Sequence, residues 1–334
     1  MSDLQDAKGL VRGMHLALDS AGGDGFAAEL QRHVTEDYLW RGMHPFHVLH
    51  GAGDVAREFW LPLRAAVTSL QRRPDVFFAG RNEIDGYGSV WVCQMGHFMG
   101  LFDAGWLGIP PTGKMCFVRF AEFNRVRDGK IAETALFIDI LSVIQQAGLN
   151  PLPPQTGAAI IQPGPLTHDG LLYTPQDAED GEVTLALINR MIGDINAHDR
   201  FATPTEELAH CWHDDMAWYG PAGIGATYTI DRYITQHQQP FRRHIKDRKF
   251  NGHLCRMAEG MYGGFFGWPN LTLTPTGNFL GLPAPGGPAD MRVVDIYRRD
   301  GGKLAENWIF IDMLHFLNMQ GMDVLARIAE VPRT

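Results

Sequence analysis

Apolar residues recur at helical spacing in the first part of the chain and at strand spacing after it. Between Asp6 and Leu18, and again between Gly53 and Ser69, apolar side chains return every three or four residues, which predicts amphipathic helices. A shorter helix is expected over Gly25–Val34. From about residue 75 the period falls to two or gives way to apolar runs, which predicts strands over 75–79, 88–98, 115–126 and 130–138.

The end of this segment predicts a hairpin and a closing helix. Asp128-Gly129 is a tight-turn pair between the last two strands, and a helix is expected over Ile140–Ala147, with Gly148 as its stop. Helices that precede an antiparallel sheet are typical of an α+β fold. The same patterns then return, with helices near 180–197, 203–212 and 229–244, strands up to residue 312, and a helical tail to about residue 330.

The two sets of patterns are copies of one sequence. Three segments match at a single offset (312 − 139 = 173): Leu107–Pro110 with Leu280–Pro283, Gly129–Glu133 with Gly302–Glu306, and Phe137–Asp139 with Phe310–Asp312. Over residues 107–148, about 15 of the 42 positions are identical to their partners. We therefore predict two tandem domains, residues 1–149 and 178–334, joined by a proline-rich linker over 150–177.

Composition excludes several classes of protein. The net charge of −9 speaks against nucleic acid as a partner, because phosphate binding needs clustered Lys and Arg. The basic run 242–249 is better explained as a solvated helix end. No stretch approaches the roughly 20 consecutive apolar residues of a membrane helix. The first residues lack the pattern of a secretion signal, so we expect no membrane partner and a cytoplasmic location.

Two aspartates at equivalent places are the strongest candidates for chemistry. Asp139 and Asp312 each follow a strongly apolar strand, where lost hydration raises a carboxyl pKa toward the range useful for acid/base catalysis. Alternation places Phe137 on the strand face of Asp139, and Trp308 on that of Asp312. The alternative is that each aspartate caps the helix that follows it.

A second candidate is present only in the first copy. His97 ends an apolar strand, where its imidazole could hydrogen-bond a bound carbonyl, and a structural histidine is the competing interpretation. At the repeat offset the second copy has Asn270 in its place. Likewise, Pro283–Gly287 replaces the first copy's Pro110–Lys114.

The ordered motifs of the first copy resemble a known family. His97–Phe102, Pro110–Lys114, Asp128–Glu133 and Asp139 together resemble the SnoaL-like polyketide cyclases of the nuclear-transport-factor-2-like superfamily, whose relatives include ketosteroid isomerase and scytalone dehydratase. The resemblance implies helices that close a strongly curved sheet around a deep apolar pocket. It also implies cofactor-free aldol chemistry, with the catalytic aspartate on Asp139 and the pocket histidine on His97.

The chemistry that the resemblance implies needs only side chains. A carboxylate in a dry pocket takes a proton from carbon beside a carbonyl, a donor such as His97 stabilises the enolate, and the enolate attacks a second carbonyl of the same substrate. Dehydration, isomerisation or hydrolysis needs the same parts, so the fold alone does not name the reaction. The second copy keeps the acid as Asp312 and lacks the histidine, which points to a different substrate or to no activity.

Metal and nucleotide sites are not expected. The histidines at 44, 47 and 50 do not converge on either a helix or a strand, and His210-Cys211-Trp212-His213 is interpreted as structural. The four cysteines form no Cys-x-x-Cys pair and no disulfide framework. There is no glycine-rich phosphate loop.

The hypotheses are an enzyme, a binding module and an architectural pair. For the enzyme, the catalytic candidates are Asp139, His97 and Asp312, without metal or cofactor, acting on a small apolar carbonyl compound. The candidate substrate-binding residues are His44, Phe137, Trp91, Trp308, Tyr219 and Asn270. As a binding module, the chain would hold an apolar ligand in one or both pockets without catalysis. As an architectural pair, the two copies would form a pseudo-dimer within the chain, with a homodimer as a further expectation.

Overall fold

The computed structural model describes residues 3–283 and 287–332. The chain folds into two compact units. The first comprises the chain up to Pro151, Leu166–Pro175 and the chain from Asp323 onward; the second comprises Leu152–Pro165 and Gln176–Met322. The proline-rich segment is thus divided between the two units, and the C-terminal helical tail groups with the first unit instead of the second.

The first unit begins with helices whose apolar stripe is buried. Its helical segments are α1 (Asp3–Ser20), α2 (Gly23–His33), α3 (Gly51–Val55), a π-helical turn (Ala56–Trp60), α4 (Leu61–Ala66) and α5 (Ile140–Gln146). In α1 the buried apolar residues are Ala7, Val11, Met14 and Leu18, which is the spacing of one helix face. The helical segment after residue 50 ends at Ala66 instead of Ser69, because Val67 already starts a strand.

A six-stranded sheet follows these helices. Its strands are β1 (Val34–Gly42), β2 (His47–His50), β3 (Val67–Arg81), β4 (Val90–Phe102), β5 (Met115–Arg127) and β6 (Lys130–Ile138), in the order β2-β1-β6-β5-β4-β3. All neighbours pair antiparallel except β1 and β6, which run parallel. The sheet is therefore mixed, whereas the sequence predicted an antiparallel one. Asp128 and Gly129 have positive φ angles, as the hairpin turn between β5 and β6 requires.

The second unit repeats this plan. Its helical segments are α6 (Ala178–Asn196), α7 (Pro204–Cys211), α8 (Ile230–Tyr233), a π-helical turn (Ile234–Gln238), α9 (Gln239–His244) and α10 (Met313–Met319). Its strands are β7 (Trp212–Tyr219), β8 (Ala226–Tyr228), β9 (Ile245–Phe250), β10 (Cys255–Glu259), β11 (Tyr262–Pro275), β12 (Ala289–Asp300) and β13 (Lys303–Ile311). The order is β10-β11-β12-β13-β7-β8, β13 runs parallel to β7, and β9 pairs with β11. The helix α11 (Val324–Arg327) belongs to the first unit.

The α+β prediction with two tandem copies is confirmed. The parallel first strand of each sheet, β1 and β7, was not predicted, because its polar residues interrupt the alternation that marks a strand. In the second copy, the loop that stands opposite Pro110–Lys114 lies partly outside the described residues. Within the described part of the chain, no helix is long and apolar enough to cross a membrane.

Candidate functional site

A cavity of about 200 Å³ lies inside the second unit, between its helices and its sheet. Most of its wall is apolar or aromatic. The apolar and aromatic lining residues include Met191, Leu208, Trp212, Trp218, Phe241, Phe265, Met291, Val293, Ile309 and Ile311. An apolar lining of this kind reduces the dielectric screening of the charges and dipoles that face the cavity.

Strand alternation decides which side chains enter this cavity. On β12 the lining residues Val293, Asp295 and Tyr297 are two positions apart. On β13 Asn307, Ile309 and Ile311 are spaced in the same way and stand opposite them in the antiparallel register. Successive side chains of a strand point to opposite faces, so these six positions form one face of the sheet. An acidic residue has therefore been placed on the inner, apolar face.

Asp295 is a buried carboxyl group in the wall of the cavity. Its hydrogen-bond donors are neutral: Nδ2 of Asn307 lies 3.0 Å from its Oδ1, and the hydroxyl of Tyr297 is the second donor. Burial raises the pKa of Asp295 to about 7, although both hydrogen bonds favour the ionised form and oppose the rise. Near neutral pH the group is thus present in both protonation states.

The tyrosines and histidines that line the cavity keep their neutral forms. Burial raises the pKa of Tyr297 and Tyr233, so both retain their phenolic protons as donors. Burial lowers the pKa of His237 to about 3, and burial together with the charge of Arg256 lowers that of His253 to about 3. The imidazole of His237 stacks on Trp218 at 4.1 Å, and that of His253 stacks on Phe265 at 3.9 Å. At neutral pH these histidines are uncharged aromatic walls.

Two arginines complete the lining on the side of α9 and β9. The guanidinium of Arg242 donates to both carboxylate oxygens of Glu207, at 2.8 and 2.6 Å. Arg248, which is exposed, donates to the carbonyl of Ile195. One edge of the cavity thus carries two cationic side chains, and Arg242 is paired with the carboxylate of Glu207.

Asn270 is the one predicted site residue that lines this cavity. Its Oδ1 accepts a 3.0 Å hydrogen bond from the backbone N–H of Val293, which leaves its amide nitrogen as the end able to donate to a bound molecule. A Cβ at Gly267 would lie 2.4 Å from that Oδ1, so the close approach requires glycine.

The two repeated aspartates lie at helix N-termini. The carboxylate of Asp139 accepts a 3.0 Å hydrogen bond from the N–H of Ser142 in α5, and that of Asp312 accepts one of 3.1 Å from the N–H of His315 in α10. Asp312 also pairs with Arg292 at 3.2 Å. The cavity lining includes Ile311 but not Asp312. Both aspartates are therefore helix caps, and their assignment as catalytic acids stays a prediction.

His97 lies in the first unit, on β4. Its Nδ1 is 3.3 Å from a carboxylate oxygen of Asp75, and its ring makes an edge contact with Phe117. Its Nε2 is buried and has no hydrogen-bond partner among the described residues. His97 stands opposite Arg119 in the pairing of β4 with β5, and the carbonyl of Arg119 accepts from the backbone N–H of Asp139. Asp139 directly follows β6, and β5 lies between β6 and the strand β4 that carries His97, so the two predicted residues are one strand apart in the sheet.

The remaining predicted residues are dispersed. In the second unit, Nε1 of Trp308 donates to the carbonyl of Pro163 at 2.9 Å, and its ring stacks on Tyr219, which lines a separate depression. In the first unit, Nε1 of Trp91 donates to the hydroxyl of Ser89. Phe137 is fully buried and stands opposite Ala121 in the pairing of β5 with β6. The Nδ1 of His44 lies 3.3 Å from Nε2 of His47. These positions stay predictions as substrate contacts.

The first copy carries an acid at the position equivalent to Asp295 (295 − 173 = 122), but in a different setting. The Oε2 of Glu122 lies 2.6 Å from Nε2 of His15 and 3.6 Å from Arg72. The guanidinium of Arg72 packs over the rings of Phe98 and Phe120, which stack at 4.1 Å. Burial opposes ionisation of Glu122, but the interactions with His15 and Arg72 prevail and lower its pKa to about 2. This acid is a fixed partner in an internal ion pair.

The fold and the cavity define the class of protein. Each unit packs helices on a mixed sheet whose first strand runs parallel to its last, and the second encloses an apolar cavity with a carboxyl group in its wall. The family model for the SnoaL-like polyketide cyclases matches residues 23–147 and 205–318, which is more than two thirds of the chain and includes both copies. The chain belongs to the SnoaL-like polyketide cyclase family.

Solved structures with similar folds match about one copy each. A SnoaL-like protein of Jannaschia sp. CCS1 is 20% identical, with 43% of this chain and 94% of that chain covered and a TM-score of 0.33. An NTF2-like protein of Burkholderia thailandensis E264 is 21% identical (44% and 98% covered, TM-score 0.33). TsrD from Streptomyces laurentii is 20% identical (41% and 96% covered, TM-score 0.32). No curated protein sequence matches the chain significantly.

Proposed function

We propose that the second unit is a cofactor-independent acid/base catalyst for a small, largely apolar carbonyl compound, and that Asp295 moves the proton. The observation that carries this proposal is the buried carboxyl group of Asp295, which neutral donors hold in the wall of a largely apolar cavity and whose pKa burial raises to about 7. A group with this pKa is suited both to accept and to return a proton at neutral pH.

The proton transfer follows from this setting. Ionised Asp295 takes a proton from carbon beside the substrate carbonyl, and the electron pair of the C–H bond moves into the enolate. The protonated phenol of Tyr233 and the amide of Asn270 are neutral donors in the cavity wall for the developing oxyanion, while the hydroxyl of Tyr297 donates to Asp295. Protonated Asp295 then returns the proton to carbon, in isomerisation, or to the alkoxide formed by intramolecular aldol closure.

The first unit is assigned a supporting role in this proposal. Glu122, at the equivalent position, is ionised and paired with His15 and Arg72, and the aromatic rings of Phe98 and Phe120 pack against that arginine. A carboxylate in such a pair is a weak base, because its cation partner stabilises the ionised form.

The proposal can be tested with a small model compound that loses a proton from carbon, because such a probe does not depend on contacts specific to the natural substrate. Nitrobenzisoxazole is flat, apolar and small; a base removes the proton from its ring carbon, the N–O bond breaks, and the electron pair ends on oxygen as a coloured nitrophenolate. We expect turnover by the full chain to rise with pH through about 7 and to fall at least about 100-fold in Asp295→Asn, the lower bound for loss of a general base.

The matched control is Asp231→Asn, which removes an aspartate near the N-terminus of α8 that does not line the cavity. It should leave the rate unchanged. Binding of the probe is followed separately by quenching of tryptophan fluorescence, since Trp212 and Trp218 line the cavity. Equal turnover by the wild type and Asp295→Asn would refute the proposal. Tight binding without Asp295-dependent turnover would instead favour a non-catalytic binding protein.

A further inference from the structure

A cluster of three different metal-ligating side chains lies at the corner between α6 and α7, outside the cavity lining. Asp194 comes from the last turn of α6, and His210 and Cys211 are the last two residues of α7. The Nδ1 of His210 lies 2.5 Å from Oδ2 of Asp194, the Sγ of Cys211 lies 3.2 Å from the same oxygen, and the sulfur and nitrogen are 3.9 Å apart. The three ligand atoms thus converge on one point.

We propose that Asp194, His210 and Cys211 bind a divalent transition-metal ion, with Zn²⁺ as the ion that their chemistry fits best. Zn²⁺ accepts mixed carboxylate, imidazole and thiolate ligands, with Zn–N and Zn–O distances of about 2.0 Å and Zn–S of about 2.3 Å. In tetrahedral coordination those lengths place the nitrogen and oxygen about 3.3 Å apart and the sulfur about 3.5 Å from each of them. To bind the ion, Nδ1 of His210 and Oδ2 of Asp194, now 2.5 Å apart, would each have to move so that their distance increases by less than about 1 Å.

Two of the three ligands are buried and the third is partly exposed, which is the arrangement that a metal site with access to solvent needs. Asp194 and Cys211 are almost fully buried, whereas the side chain of His210 is 45% exposed. The buried pair fixes two ligands, and the exposed imidazole leaves a path for the ion and a fourth position for water. The ion would replace the hydrogen bond between Nδ1 of His210 and Asp194 and would displace the proton of the Cys211 thiol.

The charges around the cluster determine how strongly it binds. Arg200 pairs with the second carboxylate oxygen of Asp194, and Arg190 hydrogen-bonds Cys211. Both cations oppose a bare dication, but the thiolate and the carboxylate supply two negative charges that neutralise it. Arg200 is half-exposed and can remain on its oxygen as an outer partner that orients the carboxylate.

The site would brace one wall of the cavity. Ile195 and Asn196 follow Asp194 along α6, Trp212 follows Cys211, and all three line the cavity. A metal that joins the ends of α6 and α7 would hold these residues in place.

Titration of the chelator-treated full chain with Co²⁺ and with Zn²⁺ alone tests the proposal. Bound Co²⁺ should give a thiolate-to-cobalt charge-transfer band in the near ultraviolet, and Zn²⁺ should abolish that band and raise the Tm. Cys211→Ser should remove the band and weaken Zn²⁺ binding by on the order of 100-fold. Loss of a residue that only hydrogen-bonds a ligand already weakens metal binding by up to about 100-fold, so loss of a direct ligand should have at least that effect. His210→Ala, which changes an exposed side chain, should weaken binding similarly.

The matched control is His213→Ala, because His213 lies two residues after Cys211 and its Nε2 contacts the carbonyl of Asp300 instead of the cluster. It should bind both metals as the wild type does. A wild-type chain without the thiolate band, or a His210→Ala variant that binds Zn²⁺ unchanged, would overturn the proposal. The titration needs no turnover, so its result is independent of the function proposed for Asp295.

Discussion

Asn307 and Asp295 lie on neighbouring strands, and Nδ2 of Asn307 donates a 3.0 Å hydrogen bond to Oδ1 of Asp295. This bond favours the ionised carboxylate and opposes the rise in pKa that burial causes. In Asn307→Ala we expect the pH inflection of nitrobenzisoxazole turnover to move to higher pH. The measurement is kcat/KM as a function of pH. An inflection that stays in place or moves down would contradict this role for Asn307.

The raised pKa of Asp295 has a consequence for stability. The ordinary value is 3.8 and the value in the fold is about 7, so the folded chain binds more protons than the unfolded chain between these limits. The contribution of Asp295 therefore becomes more destabilising as pH rises from 3.8 to 7, by up to about 4 kcal/mol. Asp295→Asn should become more stable relative to the wild type across this window.

Urea unfolding at pH 5 and pH 8 measures that difference. A difference in unfolding free energy between Asp295→Asn and the wild type that is constant with pH does not report on the pKa, because the amide changes the local hydrogen bonds at every pH. The dependence of the difference on pH is the expected signal, and Asp231→Asn should not show it. A difference that is the same at both pH values would mean that the pKa of Asp295 is ordinary.

Arg72 is expected to be a stability determinant of the first unit. Its side chain is 5% exposed and lies 3.6 Å from the buried carboxylate of Glu122. Replacing it by methionine leaves that charge without its cation, which should reduce the free energy of unfolding by about 3 kcal/mol. The double variant Arg72→Met/Glu122→Gln should recover part of the loss. Additive losses in this cycle, measured by urea unfolding, would show that the two residues do not interact.

Asp312 separates the sequence-based assignment from the one proposed here. Asparagine caps helices as well as aspartate does, so Asp312→Asn should keep the cap on α10 and lose the ion pair with Arg292. We expect a stability loss of about 3 kcal/mol with turnover per folded molecule retained. Stability is measured by urea unfolding and turnover with nitrobenzisoxazole. If Asp312→Asn or Asp139→Asn removes turnover while Asp295→Asn keeps it, the original assignment is correct.

The architecture was predictable because each copy carries strong local signals. The helical spacing of Met14 and Leu18 and the Asp128-Gly129 turn are short-range features, and both copies carry patterns of this kind. The parallel pairing of β1 with β6 was not predictable in this way. It joins residues about 90 positions apart, such as Arg41 and Ala135, and no local pattern encodes that contact.

The site was harder to predict, because the alternation of side chains along a strand defines two faces of the sheet but does not show which face lines the cavity. Alternation along β13 predicts Trp308 on the strand face of Asp312, but the cavity is lined by the alternate positions, Asn307 and Ile309. Asp295 was missed because it stands in a strand with several charged residues, where a polar side chain is ordinary. The signal that could have found it is the repeat offset, which pairs it with Glu122.

The central claim is that the cavity holds a carboxyl group that titrates near neutral pH. Carbon-13 NMR of the chain labelled at aspartate carboxyl carbons measures this directly, with the Asp295 signal assigned by its loss in Asp295→Asn. We expect that signal to titrate with a pKa of about 7. A signal that titrates near the ordinary value of 3.8 would contradict the claim.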